Sequence, residues 1–123
     1  MSNASELTEV RRRLAMFASR KEARFNEFAR ERPIEWRPSS IMNPRTGFYV
    51  SPLEAWALIV DELTAGCALE EIELQQPPGR KAYAFLIELE PNSSRPPIYV
   101  KLELLGDRVI GRSFHYSTLG LIR

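Results

Sequence analysis

The sequence predicts an α+β domain with two N-terminal helices packed on one face of a four- to five-stranded antiparallel sheet. Three observations point there. Apolar residues recur at three- and four-residue steps in the first half of the chain, the period of a helix with one buried stripe. They switch to strict alternation in the second half, the period of a strand with one buried face. The alternating stretches follow one another through short turns, which antiparallel neighbours allow and parallel ones do not. Helices first and a meander second place the helices on one side of a sheet. With 123 residues, 44% hydrophobic and 27% charged, the composition is that of a single globular domain spanning 1–123.

Residues 5–32 read as one long basic amphipathic helix. Leu7, Val10, Leu14, Phe17, Phe25 and Phe28 form its stripe, interrupted by Lys21. Ser5 suits the N-cap, Glu6 and Glu9 suit the positive end of the helix dipole, and Pro33 stops it. Arg11, Arg12, Arg13, Arg20 and Arg24 make the opposite face basic. Residues 33–50 have no period and are punctuated by Pro33, Pro38, Asn43-Pro44 and Gly47. They predict a loop with a short strand at 47–50, long enough to serve as a lid or rim. Trp36, in this loop, is open to two readings: packing the loop down or contacting a ligand.

Residues 52–66 carry the strongest helix signal. Ser51 is the expected N-cap, Pro52 the first helical residue and Glu54 the partner that completes a capping box. Leu53, Trp56, Ala57, Val60 and Leu63 are the expected apolar face, and Gly66 the stop. Strands follow at 70–75, 82–89, 98–105 and 109–116. Pro77-Pro78-Gly79 and Gly106-Asp107 are the turns, and residues 91–97 a loop.

The net charge is +1, from 17 Lys and Arg against 16 Asp and Glu, which excludes a uniformly basic nucleic-acid coat. The total hides an asymmetry. Residues 1–32 hold eight basic and five acidic side chains, residues 33–94 four and nine, and residues 95–123 five and two. Both ends are basic around an acidic middle, which permits a local anion site. One cysteine, Cys67, excludes an internal disulfide framework and a thiolate-built zinc site. It follows a helix end with no histidine nearby and reads as a packed residue. One histidine, His115, excludes sites that need two imidazoles. No run of about 18 apolar residues predicts a membrane span, and no compact apolar leader is visible. A cytoplasmic protein is the expectation.

The chemistry concentrates on the last hairpin. In 98–105, Ile98, Val100, Leu102 and Leu104 face the helices, so Tyr99, Lys101 and Glu103 face solvent or a ligand. In 109–116, Ile110 and Phe114 are the expected buried pair, which puts Gly111, Ser113 and His115 on the other face, beside Tyr99 and Lys101. Strict alternation sends Arg112 to the buried side, and a bulge at Gly111 would re-aim it. A histidine that titrates near neutrality, a lysine that stabilises extra charge on phosphorus, and a tyrosine that donates a proton or stacks on a base together suit RNA cleavage. That chemistry needs no metal and no cofactor. Ser113 lacks the Gly-x-Ser-x-Gly elbow of an acyl nucleophile.

The C-terminal stretch PIYVKLELLGDRVIGRSFHYS resembles the end of the small RNase toxins of bacterial toxin–antitoxin systems, in particular the MqsR-like branch of the RelE-type toxins. Tyr99 and Lys101 match the first strand of the family hairpin, and Ser113-Phe114 match the second. His115 stands where the family has an active-site lysine. Arg80 and Lys81 fall near another. The resemblance implies a small antiparallel sheet with helices on one face, cleavage of mRNA without metal, and neutralisation by a cognate antitoxin protein. On this reading His115, Tyr99 and Lys101 are catalytic, and Arg112, Lys81, Arg80, Ser113 and Tyr116 hold phosphate or RNA. Two alternatives stay open. One is a non-catalytic interaction module, immunity- or antitoxin-like or regulatory. The other is an RNA-binding domain without cleavage, with Tyr99, Tyr116 and Arg112 as a platform.

Overall fold

The computed structural model describes residues 4–26, 35–75, 78–90 and 95–117. Helix α1 (Ala4–Ala18) is followed by a 3₁₀ turn at Lys21–Ala23 and strand β1 (Arg24–Asn26). A second 3₁₀ turn (Pro38–Ser40) leads into a small hairpin of β2 (Met42–Asn43) and β3 (Phe48–Tyr49). Helix α2 (Pro52–Thr64) comes next, then β4 (Glu70–Gln75), β5 (Pro78–Ile87), β6 (Ile98–Leu105) and β7 (Arg108–Tyr116).

The α+β class holds, but the long N-terminal helix does not. The helix begins at Ala4, ahead of the expected cap Ser5, and ends at Ala18. Beyond Phe17 and Ala18 the chain runs Ser19, Arg20, Lys21, Glu22, and no apolar residue continues the stripe on schedule. Ser19 closes the end: its N–H donates to the Ala15 carbonyl (3.1 Å) and its hydroxyl to that of Met16 (2.7 Å). Phe25, assigned to the helical stripe by sequence, sits in β1 and pairs with β7. Phe28 and residues 27–32 of the expected helix lie outside the described residues.

The basic face of α1 folds back on its own chain. Arg11 donates to the Cys67 carbonyl (3.1 Å), Arg13 to that of Gly106 (3.0 Å), and Arg12 pairs with Glu9 (2.6 Å).

The main sheet has five strands in the order β1-β7-β6-β5-β4. It is mixed, not wholly antiparallel: β1 runs parallel to β7, whereas β7, β6, β5 and β4 form an antiparallel meander. The expectation of an all-antiparallel sheet fails at this one edge, because β1 arrives from the other end of the chain. Residues 35–37 extend the same edge. Phe114 donates to the Glu35 carbonyl and accepts from the Arg37 N–H, both at 2.9 Å, and Trp36 forms a parallel bridge to Phe114.

Both helices bury their stripes on one sheet face. Leu14 and Phe17 of α1 and Ala55, Trp56, Ile59 and Leu63 of α2 share one core with Tyr83, Phe85, Ile98, Val100, Leu102, Val109 and Phe114. Each large side chain buried here stabilises by about 1.5–3 kcal/mol before the cost of ordering it. The α2 face differs from the expected one: Leu53 and Ala57 are exposed and Ala55 and Ile59 buried. The run Ala-Leu-Ile-Val is apolar on nearly every side, so periodicity did not single out its buried face.

The α2 start follows its sequence signal, with one change. The Ser51 hydroxyl accepts from the Glu54 N–H (3.1 Å). The Glu54 carboxylate accepts from the Asn43 side-chain amide (2.9 Å), and so pins the β2–β3 hairpin to the helix. Gly66, at φ +88°, ends α2 in the left-handed conformation that favours glycine. No helix among the described residues is long and apolar enough to cross a membrane.

Candidate catalytic face

The sheet face turned away from the helices is set by β6 and β7. Pairing joins Tyr99 to His115, Lys101 to Ser113 and Glu103 to Ile110. Directly opposed residues share a face, so Tyr99, Lys101, Ser113 and His115 lie together, as the alternation predicts. Their surroundings differ from those expected.

The register shifts between Lys101 and Leu102: Lys101 faces Ser113 but Leu102 faces Gly111. Arg112 is therefore the extra residue of a β-bulge. Below the bulge, parity reverses. Val109, not Ile110, is the fully buried partner of Phe114, while Ile110 is half-exposed on the face with Glu103. Gly111 turns to the helix side and lies beneath the Trp36 indole.

The bulge swings Arg112 onto the candidate face, where its guanidinium donates to Glu103 at 2.8 Å. Glu103 is on the expected face but not open to ligand. It is only 1% exposed and is held from both sides by Arg112 and Arg80. Arg80 belongs to this face because Ala82, two residues on, pairs with Glu103. Half-buried Lys101, on the same face, has no ion pair among the described residues. Ala82 and Ala84, paired with Glu103 and Lys101 on the same face, are buried.

Two expected RNA contacts fall elsewhere. Lys81 has the parity of Tyr83 and sits on the helix side, 3.5 Å from Glu71. Tyr116 pairs with Ile98, packs against the core, and its hydroxyl accepts from the Met42 N–H at 3.4 Å. Neither can join His115 without turning through the sheet. Ser113 is on the right face but 1% exposed.

The structure adds one residue. Glu35, carried in by the edge pairing of residues 35–37, places Oε1 at 3.4 Å from His115 Nε2, and at 3.2 Å it accepts from the Ser113 hydroxyl. His115 Nδ1 lies 2.9 Å from the Tyr116 carbonyl. Both ring nitrogens thus face oxygen acceptors. The Tyr99 and His115 rings lie 5.7 Å apart, tilted by 35°. Burial pushes the Tyr99 phenol up, and the carboxylates of Glu70 and Glu35 push the same way, so near neutrality it is a proton donor. Glu35 had no periodicity to mark it. An acidic residue beside a tryptophan in an otherwise irregular loop was its only sequence signal.

No group of three or more His, Cys, Asp or Glu among the described residues is arranged to hold a metal ion. The Cys67 thiol is pushed up to about 11, first by burial and then by the Glu62 carboxylate. At about pH 8 it should react with iodoacetamide at least ~10-fold more slowly than an unhindered thiol, and at the ordinary rate once unfolded. Equal rates before and after unfolding would contradict its packed setting.

The class these features define is an α+β domain whose sheet face away from the helices carries, among the described residues, arginines, a lysine, aromatic rings and the Glu35–His115 contact. No protein-family model, curated protein or solved structure matches the chain.

Proposed function

We propose that this protein is a metal-independent endoribonuclease of the small-toxin type. It cleaves RNA in the cytoplasm by attack of a ribose 2′-OH on the adjacent phosphate, and a cognate antitoxin protein holds it in check. The observation that carries the reading is the Glu35–His115 pair, set beside Tyr99 and two residues along β6 from Lys101. The reaction needs a base within reach of O2′, an acid within reach of O5′, and charge stabilisation at the phosphate.

Glu35 takes the proton from the 2′-OH as O2′ bonds to phosphorus. The P–O5′ bond breaks, and His115 protonates the departing O5′. The products are a 2′,3′-cyclic phosphate and a free 5′-OH. Lys101 offsets the charge that builds on the non-bridging oxygens. Tyr99, kept protonated, presents a donor and a ring on which a base can stack. Ser113 orients Glu35. Arg80 and Arg112, bound to Glu103, add positive field more than direct phosphate contacts. The resemblance of the C-terminal hairpin to RelE/MqsR-like toxins supports the same chemistry, with histidine able to move a proton where lysine stabilises charge.

Cleavage of a single-stranded RNA in EDTA tests the proposal. His115→Ala and Glu35→Gln should each lower the rate ~10²–10⁴-fold while leaving the thermal midpoint close to that of the parent. Cleavage unchanged in both variants would remove the pair from the mechanism. Loss of all cleavage in EDTA would remove the metal-independent route.

A further inference from the structure

We infer that the far end of the same face holds a nucleobase subsite, so that the substrate is single-stranded RNA laid along β7; this rests on the ribonuclease reading above. Pairing sets Phe25 beside Ile110 in β7, and Arg108 opposite Leu105 in β6. Ile110 shares its face with Glu103, and Leu105 lies two residues beyond Glu103. Phe25, Arg108 and Leu105 are therefore on the face that carries His115.

Phe25 is 46% exposed, and the Arg108 guanidinium lies 5.5 Å from its ring centroid. A recess of about 310 Å³ opens beside them, between the Lys21–Ala23 turn and the β6–β7 turn. Phe17 and Phe25 supply its apolar wall, Arg20 and Arg108 its cations, and Glu22 and Asp107 its carboxylates.

Balanced charge with both donors and acceptors is wrong for a phosphate and right for a base. A base has a flat π-face to set against Phe25 and Arg108, and an edge that both gives and accepts hydrogen bonds. Between the two ends lies Lys101, a cation with no ion pair among the described residues, where a phosphate backbone would cross. From the Tyr99–His115 pair to the Leu105–Arg108 pair is six residue steps along β6, or about 20 Å. Only unpaired bases can stack outward onto protein rings, so the strand is single.

The test uses 2′-O-methyl RNA, which binds but cannot attack its own phosphate. Affinities of a dinucleotide and an octanucleotide are measured by fluorescence anisotropy for the parent, Phe25→Ala and Arg108→Ala, and cleavage of ordinary RNA is followed in parallel. Each variant should weaken the octanucleotide ~5–10-fold, lower cleavage of a long RNA in the same proportion below saturation, and leave binding of the dinucleotide, too short to reach the subsite, unchanged. Both side chains are exposed, and Arg108→Ala tests the contact without touching β1. If the parent cleaves RNA and neither variant shifts octanucleotide affinity, the subsite is overturned and the ribonuclease reading stands. If the octanucleotide depends on Phe25 but nothing is cleaved, the subsite stands and the catalytic reading fails. A parent that neither binds nor cleaves overturns both. A duplex that competes as well as the single strand overturns the single-strand assignment.

Discussion

Glu103→Ala should destabilise the protein by about 3–5 kcal/mol, because it breaks a buried ion pair by removing one partner. The Arg112 side chain is 6% exposed and Glu103 is its buried partner. Remove the carboxylate and that guanidinium stays out of water with its buried counter-charge gone. Arg80, 38% exposed, turns outward and loses much less. A domain of this size has only about 5–15 kcal/mol of stability to lose, so the variant should show a sharply lower urea midpoint. Removing both charges should cost less than removing one: Glu103→Leu combined with Arg112→Met should recover much of the loss, as buried pairs do when replaced by apolar residues of similar volume. A Glu103→Ala effect under about 1 kcal/mol would mean that the pair is solvated like a surface bridge.

Gly111→Ala should cost about 1–3 kcal/mol or more by overpacking. A Cβ built there meets Trp36 ring carbons at 2.4, 2.6 and 2.7 Å. The indole has little room to retreat, since Trp56 lies 5.0 Å and Phe114 5.5 Å from it, centroid to centroid. The same displacement should reach the candidate site, because Trp36 is joined to Glu35, whose carboxylate faces His115. RNA cleavage should therefore fall together with the thermal midpoint. Trp36→Leu should make the alanine cheaper, so the double variant should lose less stability than the two single losses together. Strict additivity would place the strain elsewhere.

Where one short stretch contained all the information, the sequence was legible. Ser51, Pro52 and Glu54 mark the start of α2 by local hydrogen bonding and backbone preference, and Gly66 marks its end. Ile98, Val100 and Leu102 mark the buried face of β6, and with it the companionship of Tyr99, Lys101 and His115. The misreadings have specific causes. Phe25 falls near enough to a helical step from Phe17 to look like the same stripe, although Lys21 stands between them, and only its pairing with β7 shows it to be strand. Ile110 was assigned to the core by strict alternation, which one extra residue at Arg112 reverses. Lys81 and Arg80 are neighbours in sequence, and in a strand that puts them on opposite faces.

From sequence alone came the α+β class, the capped second helix, the C-terminal meander and the face on which the only histidine stands. Each follows from interactions within a few residues, or from the period of the chain itself. The tertiary structure decided the end of α1, the parallel edge formed by residues 24–26 and 35–37, the bulge that turns Arg112 toward Glu103, and the arrival of Glu35 at His115. The bulge lies in the β6–β7 pairing, while the parallel edge and the arrival of Glu35 depend on β7 satisfying its outer backbone hydrogen bonds with residues from far up the chain. That pairing has no local period, and so it left no mark that a reading along the sequence could find.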